Sequence, residues 1–177
     1  MENKKARVEI TVSINHKTRI LEVDPDESLL KVLRRYGYYS VKYGCDDGTC
    51  GVCTVLQDGK PILSCKTKAA DAVGTEITTL EGLEENGHPH PIQEAFIDSS
   101  AVQCGYCTPA QILSAKALLD KNPNPNDNEI RKALNPVLCR CTGYVRAVDA
   151  VHKASAMLNG EESNPLKPYR LTLPEEG

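Results

Sequence analysis

Gly44-Cys-Asp-Asp-Gly-Thr-Cys-Gly-Val-Cys-Thr54 places Cys45, Cys50 and Cys53 within nine residues, and Cys65 follows beyond a short apolar stretch. The spacing is C-x4-C-x2-C, and Gly44, Gly48 and Gly51 let backbone N–H groups approach whatever the sulfurs hold, since no Cβ stands in the way. Upstream, Val8, Ile10, Val12 and Ile14 alternate with Arg7, Glu9, Thr11 and Ser13, which predicts a half-buried strand. Thr18–Val23 predicts a second strand, joined through a turn at Asn15-His16-Lys17. Asp26-Glu-Ser28 offers an N-cap and an acidic first turn to a helix of about ten residues that carries Leu29, Leu30, Val32, Leu33 and Tyr36. Downstream, Val52–Leu56 and Pro61–Ser64 flank a turn at Gln57–Lys60, and Glu76–Leu80 predicts a final strand. Strand pair, helix, strand pair and last strand predict an α+β domain over residues 1–83.

Residues 84–91, Glu-Glu-Asn-Gly-His-Pro-His-Pro, read as a linker, and beyond them the periodicity becomes helical. Ile92, Ala95, Phe96 and Ser99 share a face. Thr108 supplies a capping hydroxyl ahead of Pro109 at a first helical position, with Ile112, Leu113, Ala117 and Leu118 following. Asn126 with Glu129 predicts a capping box for a helix carrying Ile130, Ala133 and Leu134 and ended by Pro136. Val145, Val148, Val151, Ala154 and Leu158 mark the last helix. Four short helices with brief connections predict a small bundle over residues 92–160. Residues 161–177, with Pro165, Pro168 and Pro174 and few apolar side chains, read as an extended tail.

The chain of 177 residues is 40% hydrophobic, with 5% aromatics, no Trp and a single Phe, so the apolar core is thin and something else helps to hold it. Eight cysteines in 177 residues fall short of the roughly 8–10% that marks a short secreted disulfide scaffold. The positive amino terminus leads into no apolar stretch, and nowhere do about 18 apolar residues run together. We therefore expect neither a secretory signal nor a membrane span, and a cytoplasmic chain that is exported, if at all, within a complex. In a reducing compartment clustered cysteines favour metal over disulfides. The net charge of −3, from 21 basic and 24 acidic residues well mixed along the chain, argues against nucleic acid as a partner.

The second four cysteines are Cys104, Cys107, Cys139 and Cys141, arranged C-x2-C, 31 residues and C-x-C. Each pair precedes a predicted helix start, so two positive helix ends would face one anionic centre. For the first set, C-x4-C-x2-C is the local spacing of plant-type [2Fe-2S] ligation, and four thiolates, two ferric ions and two sulfides sum to about −2, a charge that amide donors stabilise. Structural zinc is the alternative, because C-x4-C and C-x2-C also lie within zinc spacing. Zinc ribbons, however, usually pair two short knuckles, which three ligands in one loop plus a lone fourth fit poorly. Disulfides are the third reading.

Gly44–Thr54, Gln103-Cys-Gly-Tyr-Cys-Thr-Pro109 and Leu138-Cys-Arg-Cys-Thr-Gly-Tyr144, in this order and spacing, resemble the two-cluster iron–sulfur subunit of the molybdenum hydroxylases. That is the family of xanthine dehydrogenase, aldehyde oxidoreductase and carbon monoxide dehydrogenase. The resemblance spans residues 7–158 and includes all eight cysteines. It implies an N-terminal β-grasp, ferredoxin-like [2Fe-2S] domain followed by a four-helix-bundle [2Fe-2S] domain. It further implies that Cys45, Cys50, Cys53 and Cys65 hold one cluster and Cys104, Cys107, Cys139 and Cys141 the other. Electrons would pass from a molybdopterin-binding large subunit to an FAD-binding subunit or another acceptor, with the bundle cluster nearest the pterin. Gln103 and Cys141 match family positions that lie against the pterin; without the resemblance, Gln103 reads equally well as a helix-end residue making a local hydrogen bond.

Val52 and Ala110 stand where many relatives have Ala and Gly, and their extra methyl groups would tighten packing at the cluster loop and the helix start. Arg140, between two cysteines, either tunes a cluster through its charge or pairs with a carboxylate. His88 and His90 offer metal donors, against the simpler reading of a solvated linker. Tyr38, Tyr39 and Tyr43 read as surface residues. The sequence has no Gly-rich phosphate loop, paired catalytic carboxylates or Ser/His arrangement, so substrate chemistry is not expected on this chain. Two other functions stand beside electron transfer within a complex. One is a free-standing two-cluster ferredoxin, for which a net charge of −3 is mild; the other is a zinc-stabilised interaction module.

Overall fold

A computed structural model describes residues 7–161; the tail expected over 161–177 lies, apart from Glu161, outside the described residues. The first half is a five-stranded sheet with the order β2-β1-β5-β3-β4. β1 (Val8–Ile14) and β2 (Lys17–Val23) pair antiparallel through a two-residue turn, Asn15 and His16, both in left-handed conformation at φ 51° and 62°. A turn with two left-handed residues matches the twist of the strands it joins. Asp58 and Gly59 do the same between β3 (Thr54–Gln57) and β4 (Lys60–Leu63). β5 (Glu76–Thr78) closes the middle, parallel to β1 and antiparallel to β3.

The helix α1 (Leu29–Arg35) covers this sheet, burying Leu29, Leu30, Val32 and Leu33 against Ile10, Val12, Ile14, Leu21, Val23, Val55 and Ile77. Ser28 caps it by accepting from the Lys31 N–H. The helix has seven residues, shorter than the sequence suggests, and its acidic residues precede the first turn instead of lying in it. The expected strand to Leu80 stops at Thr78, because Leu80–Gly82 winds into a short 3-10 turn. A second such turn, Ala69–Ala72, has no strong sequence signal. Tyr38 also differs from expectation, packing half-buried against the core, whereas Tyr39 and Tyr43 are exposed.

Four helices follow: α2 (Pro91–Asp98), α3 (Thr108–Leu119), α4 (Asp127–Leu134) and α5 (Val145–Leu158). α2 packs on α5 and α3 on α4, around Phe96, Ile92, Leu113, Ile130, Leu134 and Val151. Asn126 and Glu129 form the capping box that starts α4. A second box is built where the sequence suggested only a linker: His90 Nδ1 accepts from the Ile92 N–H while Gln93 accepts from the His90 N–H. His90 is thus a half-buried cap whose burial lowers its pKa, and not a solvated linker residue. On α3 the cap position is Cys107, not Thr108, which lies already in helix. Val145 and Leu158 are exposed at the two ends of α5, and Ala147 and Ala150 fill the core instead.

The two halves are in contact. α3 lies against β3, and Leu56 of β3 belongs to the core of the helices. Closer still is the contact between the cysteine loop and the segment after α4. Gly51 has φ +66°, and a Cβ there would fall 2.0 Å from the Pro136 carbonyl oxygen. Next to it, the Leu138 N–H donates to the Cys50 carbonyl at 2.8 Å.

Candidate metal centres

The first four thiols sit in the loop that enters β3 and just beyond the end of β4. The Cys53 carbonyl accepts from the Ser64 hydroxyl at 2.6 Å and the Ser64 N–H at 3.4 Å, which fixes the loop to the strand end that carries Cys65. The Cys50 N–H points at Cys45 Sγ, 3.5 Å away, and Cys65 lies close enough to Cys53 for the two thiols to influence each other's ionisation. At the loop's tip the Asp47 carboxylate accepts from the Thr49 N–H and hydroxyl, which holds its carboxyl at about 2. Gly44 is required for space: a Cβ would lie 2.7 Å from Val52 Cγ2 and 3.0 Å from Cys50 Sγ.

The second four lie at the start of α3 and in the turn before α5. Cys104 and Cys141 are exposed, their sulfurs 3.5 Å apart, whereas Cys107 and Cys139 are buried. Cys139 is held from two sides. Its N–H donates to the Tyr144 hydroxyl at 2.7 Å, and that hydroxyl donates to the Val137 carbonyl at 3.1 Å. Its sulfur meets Thr142, with the hydroxyl at 3.1 Å and the N–H at 3.4 Å.

Local environment separates the thiols. Burial, with the neighbouring Cys53, pushes Cys65 up to about 12, and burial with Cys139 does the same for Cys107. Desolvation penalises a bare thiolate, so these sulfurs favour the charged form only beside a compensating cation. Burial also opposes the Cys139 thiolate, but the Thr142 hydrogen bonds outweigh it and lower that thiol. Cys45 is lowered by the Cys50 backbone N–H.

The two sets share one wall. Cys50, Val52, Cys107, Ala110, Val137 and Cys139 form a single apolar cluster, with Cys45 and Tyr144 at its edge. A pocket between the halves is lined by Gly44, Cys50, Cys104, Cys107, Cys139 and Cys141. Among the described residues no three His, Cys, Asp or Glu side chains converge as ligands of a single ion would. Each half gathers four thiols: Cys65 lies close enough to Cys53 and Cys45, and Cys107 to Cys139 and Cys104, for their charges to interact, and Cys104 and Cys141 are in direct sulfur contact. Two thiolates per iron is the ligation of a binuclear cluster, so the donor set fits two [2Fe-2S] groups.

Gln103 is exposed beside Cys104, and Arg140 is exposed at the pocket rim. The sequence reading singled out neither Thr142 nor Tyr144 as a site residue. Both lie in the quoted Leu138–Tyr144 stretch, but a hydroxyl contact to sulfur has no spacing rule that would reveal it.

Residues 12–76 match the family described as 2Fe-2S iron-sulfur cluster binding domain, and residues 79–152 the one described as [2Fe-2S] binding domain. The nicotinate dehydrogenase small FeS subunit of Eubacterium barkeri is 47% identical over 149 residues, 84% of this chain and 95% of the relative. The xanthine dehydrogenase iron-sulfur-binding subunit of Escherichia coli O157:H7 is 44% identical over 154 residues, covering 84% and 95%. Among solved structures, quinoline 2-oxidoreductase from Pseudomonas putida 86 contains a chain that superposes with a TM-score of 0.82 at 39% identity, covering 88% of this chain and 99% of that one. Two iron–sulfur motifs, their thiols gathered four and four with members of both sets in a common wall, coincide with similarity along nearly the whole length of such subunits: this chain belongs to the two-[2Fe-2S] electron-transfer subunits of the molybdenum hydroxylases.

Proposed function

We propose that Cys45, Cys50, Cys53 and Cys65 hold the first [2Fe-2S] cluster and Cys104, Cys107, Cys139 and Cys141 the second, and that electrons run from the second to the first. When bound, each cluster takes up and releases one electron at a time. The observation that carries the reading is the shared wall, in which Cys50 and Cys139 sit together and the Cys50 carbonyl accepts the N–H next to Cys139. A short path of covalent and hydrogen bonds thereby joins the two ligand sets.

Exposure supports this direction. Cys104 and Cys141 open to the surface beside exposed Tyr106 and Leu138, an apolar rim suited to a large partner subunit. We place the partner's molybdopterin there, against Gln103 and Cys141, and an FAD-binding subunit or another acceptor beyond the first cluster. In this reading the chain divides into a β-grasp ferredoxin-like domain over 1–83, a connection over 84–91 whose last residues, His90 and Pro91, already cap and open α2, a four-helix bundle over 92–160 and a tail over 161–177. The working compartment is the reducing cytoplasm, which keeps all eight thiols available as ligands. Substrate choice lies in the partner, since subunits of enzymes named for nicotinate and for xanthine are nearly equally similar to this chain.

Iron and sulfide analysis tests the reading. Four thiolates per cluster and eight cysteines require about four irons and four acid-labile sulfides per chain. The reduced protein should give two distinguishable paramagnetic signals, one disturbed by Cys50→Ser and the other by Cys107→Ser. A colourless protein that binds zinc, or loss of both signals from either change, would overturn it.

A further inference from the structure

The turn between Cys139 and α5 has more structure than ligation requires. Gly143 and Tyr144 are consecutive left-handed residues, at φ +62° and +67°. For tyrosine that conformation is costly, and such strain persists only where the surroundings enforce it. Here the enforcing contacts are two hydrogen bonds: the Tyr144 ring reaches back so that its hydroxyl accepts the Cys139 N–H and donates to the Val137 carbonyl. The same turn brings the Tyr144 N–H to the Thr142 hydroxyl oxygen at 3.3 Å, and that oxygen lies 3.1 Å from Cys139 Sγ. The turn therefore presents Thr142 to one chosen sulfur.

The direction of that hydrogen bond is fixed by ligation. In a free thiol either atom could donate; a metal-bound Cys139 thiolate has no proton and can only accept. The hydroxyl, accepting from Tyr144 on one lone pair, keeps its proton for the sulfur. With the Thr142 N–H at 3.4 Å, Cys139 Sγ then has two donors from one residue. Among the described residues this is the one hydroxyl hydrogen-bonded to a sulfur of the second set. Reduction adds negative charge that spreads onto the ligand sulfurs, and a donor aimed at a sulfur binds the more negative state more strongly. Hydrogen bonds to sulfur are accordingly among the factors that set cluster potential.

We propose that Thr142 is a potential-setting residue, its hydroxyl donating to the Cys139 ligand sulfur so as to favour the reduced form of the second cluster. The proposal rests on Cys139 being a ligand, as assigned above. One electron enters, from the partner's molybdenum centre or, in the test, from dithionite, and the hydroxyl keeps its proton throughout. Because Cys139 shares the wall with Cys50, the stabilised sulfur lies on the side from which the electron leaves.

The test is potentiometry of the full chain carrying both clusters, followed by electron paramagnetic resonance, which reads each cluster separately. Thr142→Val keeps the shape and removes the hydroxyl. At fixed potential it should lower the reduced-to-oxidised ratio of the second cluster about tenfold, about 59 mV for one electron. Thr142→Ser, which restores the hydroxyl, should stay within about twofold of wild type, and the first cluster should not move in either variant. Full iron with an unmoved second potential would overturn the proposal, as would equal shifts of both clusters. If the valine variant loses the second cluster, Thr142→Ala is read in its place; if neither retains it, the hydroxyl holds the cluster and does not tune it, and the proposal falls. A wild-type chain with fewer than four irons at full incorporation would instead break the ligand assignment, and would do so before any substitution is made.

Discussion

Gly51 is the position at which one missing atom lets two halves of the chain meet. Its left-handed φ of +66° disfavours any side chain, and a Cβ would also sit 2.0 Å from the Pro136 carbonyl oxygen, beside the Cys50–Leu138 hydrogen bond. Gly51→Ala should therefore cost roughly 2–5 kcal/mol, the left-handed penalty plus overpacking. Gly59→Ala is the control: φ is +73° but nothing lies within 4 Å of its Cβ, so only the conformational cost of about 1–2 kcal/mol applies. Denaturant unfolding of both variants checks this, and equal losses would show that the Pro136 contact does not matter. From the sequence, Gly51 was legible as a loop glycine beside cysteines, and its backbone angle agrees. That its partner is a carbonyl 85 positions along the chain was not legible, because nothing local in either segment encodes the approach.

Among the elements, those with strong local signals emerged as read. Alternating β1 and the Asn126–Glu129 capping box depend on neighbours a few residues apart. The misreadings came where a distant partner decided the outcome. Leu80–Gly82 reads as the end of a strand but winds into a 3-10 turn, and Glu81 within it ties that turn to the segment leading into the cysteine loop. Its carboxylate accepts from the Ser40 N–H at 2.9 Å, from the Ser40 hydroxyl, and from the Thr79 hydroxyl at 2.6 Å. Burial alone would raise its pKa, but these donors outweigh it and the folded value is lowered. A lowered carboxylate stabilises the fold at full strength above the ordinary glutamate range, and that contribution drains away as pH falls through the folded value. Glu81→Gln should thus flatten the acid limb of the stability profile and have its largest effect near neutrality. Unfolding measured from pH 7 to pH 3 reads this, and an unchanged acid limb would show that the tether carries no stability.

At the scale of the molecule, the sequence divided the cysteines four and four but said nothing of how far apart the two sets lie. The structure puts Cys50 and Cys139 in one apolar wall, with Cys104 and Cys141 of the second set exposed and Cys53 and Cys65 of the first packed against the core of the sheet. That order makes a kinetic prediction for the intact complex, because a chain of centres fails differently at its two ends. Gln103→Ala, at the exposed end, should slow electron transfer from the molybdenum centre to both clusters while leaving their spectra intact, since Gln103 is assigned as a neighbour and not as a ligand. Cys45→Ser, at the other end, should impair delivery to the terminal acceptor more than it impairs reduction of the second cluster by substrate. Rapid mixing with substrate, followed at wavelengths and fields that distinguish the clusters, resolves the order of reduction. If Gln103→Ala left every step at the wild-type rate while Cys45→Ser abolished reduction of the second cluster, electrons would be entering through the first loop, and the direction inferred from the exposure of Cys104 and Cys141 would be reversed.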